Sequence, residues 1–160
     1  MNKVFYWSPF ISKVATVKSV LNSAEAINRS FKKNNFKAYI IDAVHEWKDF
    51  EDEIKEKKIE LIYLNKNSIF NSYKKEGFIR SRLAYLYVFF KSFFPLVKIL
   101  QEKKPNYFVI HLITSLPLFL FIFKNFKPKL ILRISGLPKM TLLRKLLWKL
   151  ASKNIYKITC

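Results

Sequence analysis

The feature that most constrains the fold is a regular alternation of short apolar runs with segments of helical periodicity along the whole chain. The runs are rich in β-branched and aromatic residues and are apolar at successive positions, which is typical of strands covered by helices on both faces. They predict six strands, at 3–7, 37–43, 59–64, 107–112, 129–134 and 155–160. The intervening segments predict five helices, at 16–33, 49–58, 78–103, 117–126 and 142–152. Pro95 predicts a break or kink in the third.

A helix between nearly every pair of strands implies right-handed crossovers, so the strands lie parallel. We therefore expect an α/β fold with a doubly wound, mostly parallel sheet. The length of 160 residues suits a single domain over 1–160, and 51% apolar residues are enough to form a core. No helix is predicted after the last strand, so the sequence predicts a domain that is cut short.

Several site classes are excluded by composition. The single cysteine, Cys160, excludes a disulfide framework and a cysteine-based zinc site. Neither His45 nor His111 has a carboxylate or thiol partner at ligand spacing, so no metal site is predicted, and His45 is expected to be exposed. Gly-x-Gly-x-x-Gly, Walker A and Gly-x-Ser-x-Gly motifs are absent, which argues against dinucleotide sites, P-loop NTPases and α/β-hydrolases. The sequence predicts no cofactor.

The charge of +19 is unevenly distributed. Residues 1–76 contain 14 basic and 10 acidic residues, whereas residues 77–160 contain 16 basic residues and one acid, Glu102. Lysine accounts for 25 of the 30 basic residues and accompanies much Ile, Asn and Phe, as an AT-rich genome would encode. Codon bias therefore explains part of the charge. The second half nevertheless favours anionic partners such as phosphate, phospholipid or nucleic acid.

Two apolar segments bear on membrane association. The segment 83–100 contains Lys91, Pro95 and Lys98, which are costly at mid-bilayer, and 112–123 is too short to span. On a helix over 80–102, the charged residues fall near one line and most other positions are apolar. Such a helix lies in the headgroup region of an anionic membrane, or it packs on the sheet with its lysines solvated.

Polar residues after the fourth strand form the main candidate site. Open parallel sheets bind ligands at the carboxyl ends of their strands, where the strand order reverses. His111 lies at such an end, and its imidazole is suited to hydrogen-bonding a hydroxyl or a phosphate. Thr114 and Ser115 follow in the same loop. The alternative is a histidine that is simply satisfied at a strand end.

Two further segments are candidate anion sites. The turn after the fifth strand contains Ser135 and Gly136 and offers backbone N–H groups beside Arg133 and Lys139, which favours a phosphate contact. A plain strand-to-helix turn that needs glycine is the alternative. Thr16 is expected to cap the first helix, whose first turn gives a second, weaker anion site.

Three motifs together resemble a known family. They are SPFISKVATVKSVLNSA after the first strand, IHLITSLPL at the end of the fourth, and LRISGLPK before the helix that contains RKLLWK. In order and spacing they resemble the amino-terminal half of bacterial family 4 glycosyltransferases, which have the two-domain GT-B fold with Rossmann-like domains. The resemblance covers nearly the whole chain, but only that family's first domain.

The resemblance implies transfer of a sugar from a nucleotide-sugar donor to a saccharide or lipid-linked acceptor in cell-surface polysaccharide assembly. In that family the first domain shapes the acceptor side of the cleft, and His111 matches the position of a catalytic-cleft histidine. The loop that contains Ser12 and Lys13 matches the one that approaches the donor phosphates, although the Gly-Gly common in relatives is replaced by Ile11-Ser12-Lys13. The donor would bind through a carboxyl-terminal domain that this chain lacks, so the 160 residues alone are expected to be inactive.

The resemblance also implies a cytoplasmic protein, peripheral on the inner face of the cytoplasmic membrane. Two other functions stay open, namely a small basic membrane-associated protein and a nucleic-acid-binding α/β module, both without catalytic activity. Nucleic acid is the less favoured partner, because arginine is scarce and the aromatic residues lie in apolar runs.

Overall fold

A computed structural model of the chain describes residues 1–10, 15–30, 35–65, 78–124, 126–134 and 141–159. The strands are β1 Asn2–Trp7, β2 Phe36–Asp42, β3 Glu60–Tyr63, β4 Tyr107–Ile110, β5 Lys129–Arg133 and β6 Ile155–Thr159. The α-helices are α1 Thr16–Ser30, α2 Glu51–Glu56, α3 Phe78–Lys103, α4 Ser115–Phe123 and α5 Leu142–Ala151. Short 3₁₀ helices, Lys48–Phe50 and Ser152–Asn154, precede α2 and β6.

The six strands form one sheet in the order β3-β2-β1-β4-β5-β6, and every neighbouring pair is parallel. The chain first moves outward from β1 to β3, and α3 then returns it across the sheet to β4, beside β1. This arrangement confirms the doubly wound α/β fold. It also places the reversal of strand order between β1 and β4.

Helices cover the sheet in two separate layers. One core cluster joins α1 and α2 to one face of the sheet, and the other joins α3, α4 and α5 to the opposite face. The alternation of side chains along β1 serves both layers, because Val4 and Tyr6 belong to the first cluster whereas Phe5 and Trp7 belong to the second. This two-sided burial explains why the strands are apolar at consecutive positions.

Of the break or kink expected at Pro95, the break is wrong, because α3 runs through the proline as one helix, whereas the kink stays a prediction. The prolyl nitrogen has no hydrogen to donate within the helix. Packing offsets this loss, since Val88 before the proline and Leu96 and Leu100 after it are all buried against the sheet.

Two other helix boundaries differ from the expectation. Helix α4 begins at Ser115 and ends at Phe123, so Pro117 lies inside its first turn rather than at its start. A proline is tolerated there because the first backbone N–H groups of a helix have no intrahelical acceptor. The acidic helix expected at 49–58 is shorter, with α2 confined to Glu51–Glu56 behind a 3₁₀ turn.

Candidate functional site

The candidate site lies at the carboxyl ends of β1 and β4, where the strand order reverses. In the register, Trp7 at the end of β1 pairs with Ile110 at the end of β4. The backbone N–H of His111 donates a hydrogen bond to the carbonyl oxygen of Trp7 at 3.0 Å, which extends the pairing by one residue. His111 therefore lies at the position where open α/β sheets bind their ligands.

The His111 side chain is buried and incompletely hydrogen-bonded. Only 8% of the residue is exposed, and its Nε2 atom has no hydrogen-bond partner among the described residues. Burial, followed by the positive charge of Arg133, lowers the pKa of the imidazole from 6.5 to about 4. At neutral pH the ring is therefore uncharged, with a nitrogen available for a ligand.

Arg133 lies on the same face of the sheet as His111. Ile110 pairs with Leu132 in the β4–β5 register, so the next position along brings His111 beside Arg133. The arginine side chain is half-buried and close enough to affect the pKa values of both His111 and Tyr6. A neutral imidazole and a guanidinium thus lie together at the carboxyl edge of the sheet.

Beneath this pair lies a buried tyrosine that the sequence analysis missed. The Tyr6 hydroxyl is hydrogen-bonded to Ser23 Oγ of α1 at 2.9 Å, and the rings of Tyr6 and His111 are 6.1 Å apart between centroids. Burial raises the pKa of Tyr6 above 10, and the Ser23 hydrogen bond and the Arg133 charge oppose this shift. Tyr6 anchors the site on α1. Its sequence signal was its position on β1: side chains alternate along a strand, so Tyr6 lies on the same face of the sheet as Ser8, which follows the strand.

Ser8 is a second missed residue. It follows β1 as His111 follows β4, it is only 1% exposed, and its hydroxyl oxygen has no hydrogen-bond partner among the described residues. Buried polar atoms are normally paired, so a hydroxyl and an imidazole nitrogen that lack partners within the described ranges, at two adjacent strand ends, are suited to a polar ligand.

The turn from β4 to α4 carries backbone strain. Ile113 has a φ of 46°, a left-handed value that is costly for a β-branched residue. Its carbonyl oxygen accepts a hydrogen bond from the indole nitrogen of the buried Trp7 at 3.1 Å, which holds the turn in place. Thr114 precedes α4 without a side-chain capping bond, and Ser115 is exposed as the first residue of the helix. Both hydroxyls therefore lie at the same sheet edge as His111.

The other residues singled out in the sequence have different outcomes. Thr16 is half-buried and is the first residue of α1 itself, not a residue preceding it. Five residues lie outside the part of the chain that the structure describes: Ser12, Lys13, Ser135, Gly136 and Lys139. Their predicted contacts with phosphate stay predictions.

A second polar cluster follows β2. Both carboxylate oxygens of Glu46 accept hydrogen bonds from backbone N–H groups, those of Ala43 and Val44, and Asp42 Oδ1 accepts one from the His45 N–H at 2.6 Å. Burial and the neighbouring Asp42 raise the pKa of Glu46 well above 4.5. The cluster closes the turn after β2.

The expectation that His45 is exposed is wrong. The residue is half-buried, its ring stacks on Tyr63 with centroids 5.5 Å apart, and its backbone has a φ of 65°. Its Nε2 atom is buried without a hydrogen-bond partner in the described structure. Within the same described ranges, no group of three His, Cys, Asp or Glu side chains is placed to hold a metal ion.

Comparisons with known proteins identify the fold. No protein-family model matches the chain, and no curated protein matches it by sequence. Among solved structures, the UDP-GlcNAc 2-epimerase of Neisseria meningitidis bound to UDP-GlcNAc is similar at a TM-score of 0.59 and 12% identity, over 97% of this chain and 39% of that protein. MurG of Acinetobacter baumannii is similar at 0.53 and 6% identity, over 99% and 41%. The spinosyn rhamnosyltransferase SpnG, complexed with spinosyn aglycone, is similar at 0.54 and 9% identity, over 92% and 38%.

The chain thus spans about two fifths of the length of each of these proteins. At identities of 6–12% the similarity concerns the fold alone. The chain has a Rossmann-like fold of the kind found in GT-B glycosyltransferases and related epimerases, in agreement with the amino-terminal GT-B domain expected from its motifs. Membership of family 4 does not follow from these comparisons.

Proposed function

We propose that the chain is the acceptor-side domain of a glycosyltransferase that moves a sugar from a nucleotide-sugar donor to a saccharide or lipid-linked acceptor in cell-surface polysaccharide assembly. The observation that carries the proposal is the Nε2 atom of His111, which is buried at the reversal of strand order and has no hydrogen-bond partner in the part of the chain that the structure describes. The single cysteine is in keeping with a cytoplasmic location, where thiols stay reduced.

The chemistry of the site suits a polar, partly anionic ligand. A neutral imidazole can accept a hydrogen bond from a sugar hydroxyl at Nε2, and Ser8 adds a second buried hydroxyl at the adjacent strand end. Arg133 supplies a positive charge for a phosphate group. A base with a pKa of about 4 removes protons poorly at neutral pH. In the proposed reaction His111 therefore binds and orients the acceptor hydroxyl.

The donor nucleotide would bind mainly outside these 160 residues. The similar solved structures include one with bound UDP-GlcNAc and one of SpnG with thymidine diphosphate, and each is more than twice as long as this chain. We propose that a second domain of the same polypeptide supplies the nucleotide site and closes over the edge that carries His111 and Arg133.

The test is transfer of radiolabelled sugar from a panel of UDP-, GDP- and dTDP-sugars to a bacterial glycolipid extract. The assay uses the entire polypeptide that carries this chain. We expect His111→Gln to lower transfer by about 100-fold or more, the usual scale for a residue that positions a reacting group. Val109→Ala is the matched control, because Val109 is buried on the same strand and face but carries no polar group.

The outcomes separate the alternatives. Loss of transfer in His111→Gln with retention in Val109→Ala supports the proposal. Equal activity in His111→Gln and the unmodified protein contradicts the role of the histidine. Conversion of a nucleotide sugar to its epimer without transfer to any acceptor contradicts the transferase function and favours an epimerase activity.

A further inference from the structure

An apolar line runs along the outer surface of α3. Leu83, Leu86, Phe90 and Phe94 recur at spacings of three and four residues, so they share one side of the helix. All four side chains are exposed, with Phe90 and Phe94 at 69% and 77% of their full area. Large apolar side chains seldom lie side by side in water without a partner.

The apolar line continues onto α4. The ring of Phe93, beside Phe94 on α3, lies 6.3 Å from the ring of Phe119 between centroids, and Phe119 lies 4.6 Å from Phe123. Phe119 and Phe123 are themselves exposed. Six of the exposed apolar side chains of these two helices are called the α3–α4 face: Leu83, Leu86, Phe90, Phe94, Phe119 and Phe123. Helix α5 packs against α4 and has exposed leucines of its own, among them Leu143, Leu146 and Leu150.

The surroundings of the α3–α4 face are basic. Lys91 and Lys98 are exposed on the neighbouring line of α3, and the only acid in the second half of the chain is Glu102, 3.9 Å from Lys98. Where α3 and α4 end, an open cavity of about 460 Å³ is lined in part by Lys104, Lys124 and Lys127. A bilayer that contains anionic lipid presents both an apolar interior and negative headgroups, and so matches both properties.

We propose that the α3–α4 face docks on the surface of a bilayer containing anionic phospholipid, with the phenylalanines inserted among the acyl chains and the lysines at the headgroups. The segment Arg82–Lys103 is long and apolar enough to cross a membrane by length and composition. Its buried residues nevertheless pack on the sheet, since Val88, Leu96 and Leu100 belong to the core. The docking is therefore peripheral. It does not depend on sugar transfer.

Charge disfavours a second copy of the chain as the occupant. A symmetric dimer through this face would bring the basic α3 helices of two copies together, and Glu102, beside Lys98, is the single acid in residues 77–160 to offset their charge. Anionic headgroups turn the same lysines into favourable contacts.

The experiment measures sedimentation of the purified chain with vesicles of phosphatidylcholine alone and of phosphatidylcholine with 30% phosphatidylglycerol. We expect binding only to the anionic vesicles, and weaker binding as salt is raised. Each lysine near an anionic surface raises the affinity for the vesicles about fivefold, so the double variant Lys91→Gln with Lys98→Gln should have an affinity lower by about 30-fold. The control is Lys18→Gln with Lys48→Gln, which makes the same charge change at exposed positions outside α3–α5.

A second pair of variants tests the apolar part. Phe90→Gln with Phe94→Gln should abolish vesicle binding, whereas Tyr156→Gln, at an exposed aromatic residue of β6, should not. Circular dichroism melting of each variant reports whether it folds. The proposal is overturned if the folded Phe90/Phe94 variant binds vesicles as the unmodified chain does. It is equally overturned if the unmodified chain does not bind anionic vesicles. The same holds if ultracentrifugation shows that the unmodified chain is a dimer and the Phe90/Phe94 variant a monomer.

Discussion

The burial of His111 predicts a specific dependence of stability on pH. An imidazole with a folded-state pKa of about 4 stays neutral in the folded protein while the unfolded chain takes up a proton near pH 6.5. The stability that this group contributes is fully present above pH 6.5 and is lost as the pH falls towards 4. Each pH unit in that window corresponds to about 1.4 kcal/mol, so the full loss is about 3 kcal/mol and the loss by pH 5 is about 2 kcal/mol.

The perturbation is His111→Gln, which keeps a polar side chain but cannot take up a proton. Urea unfolding at pH 7.5 and pH 5, followed by the fluorescence of the buried Trp7 and Trp47, gives the free energy of unfolding of each form. Other groups also titrate, so the informative quantity is the difference between the variant and the unmodified chain. We expect the decrease in stability between the two pH values to be about 2 kcal/mol smaller in His111→Gln.

A control and a refuting result complete the experiment. Val109→Ala removes buried volume beside the site without removing a titrating group, and should lower the free energy of unfolding equally at both pH values. If His111→Gln and the unmodified chain lose the same stability on acidification, the imidazole is not held neutral by burial. In that case the argument that a neutral imidazole accepts a hydrogen bond from the acceptor also fails.

Two further predictions concern the turn after β2 and the attachment of α1. Because the pKa of Glu46 is raised, the stability that this residue contributes is present below pH 4.5 and is lost as the pH rises through the raised value. In urea unfolding, Glu46→Gln should therefore gain stability relative to the unmodified chain between pH 4.5 and pH 8. A stability difference that stays constant over this range would contradict the raised pKa. Asn28 accepts a hydrogen bond from the Ala38 N–H at 2.9 Å and donates one to the Lys58 carbonyl oxygen at 3.0 Å. Asn28→Ala should therefore lower the free energy of unfolding by about 1–3 kcal/mol in thermal unfolding, whereas Asn22→Ala, at an exposed position of the same helix, should lower it little. Equal losses in the two variants would show that the two hydrogen bonds contribute nothing to stability.

The position of the site could be predicted from the sequence, because it depends on chain order. Placing His111 at the end of the fourth strand required only the alternation of apolar runs and helices, and parallel strands bring their carboxyl ends to one edge. The grouping of His111 with Arg133 is different. It depends on the register between β4 and β5, which no local pattern specifies.

Several details were missed or wrong for a related reason. Ser8 is buried and His45 is half-buried because of the residues that pack around them in the fold. The sequence pattern of a polar residue after a strand does not indicate whether that residue is buried. The continuity of α3 through Pro95 likewise depends on core contacts on both sides of the proline. Local propensity predicts a break, and tertiary packing overrides it.

The sequence by itself determined the order and type of the strands and α-helices that the structure describes, the parallel sheet and the basic second half of the chain. These properties depend on residue spacing within each segment and on the lengths of the connections. Only the tertiary structure decided the strand order, which helices cover which face, the burial of His111 and the joining of α3 and α4 into one exposed apolar face. Those properties depend on contacts between residues far apart in the chain, and such contacts form only when the whole sheet assembles.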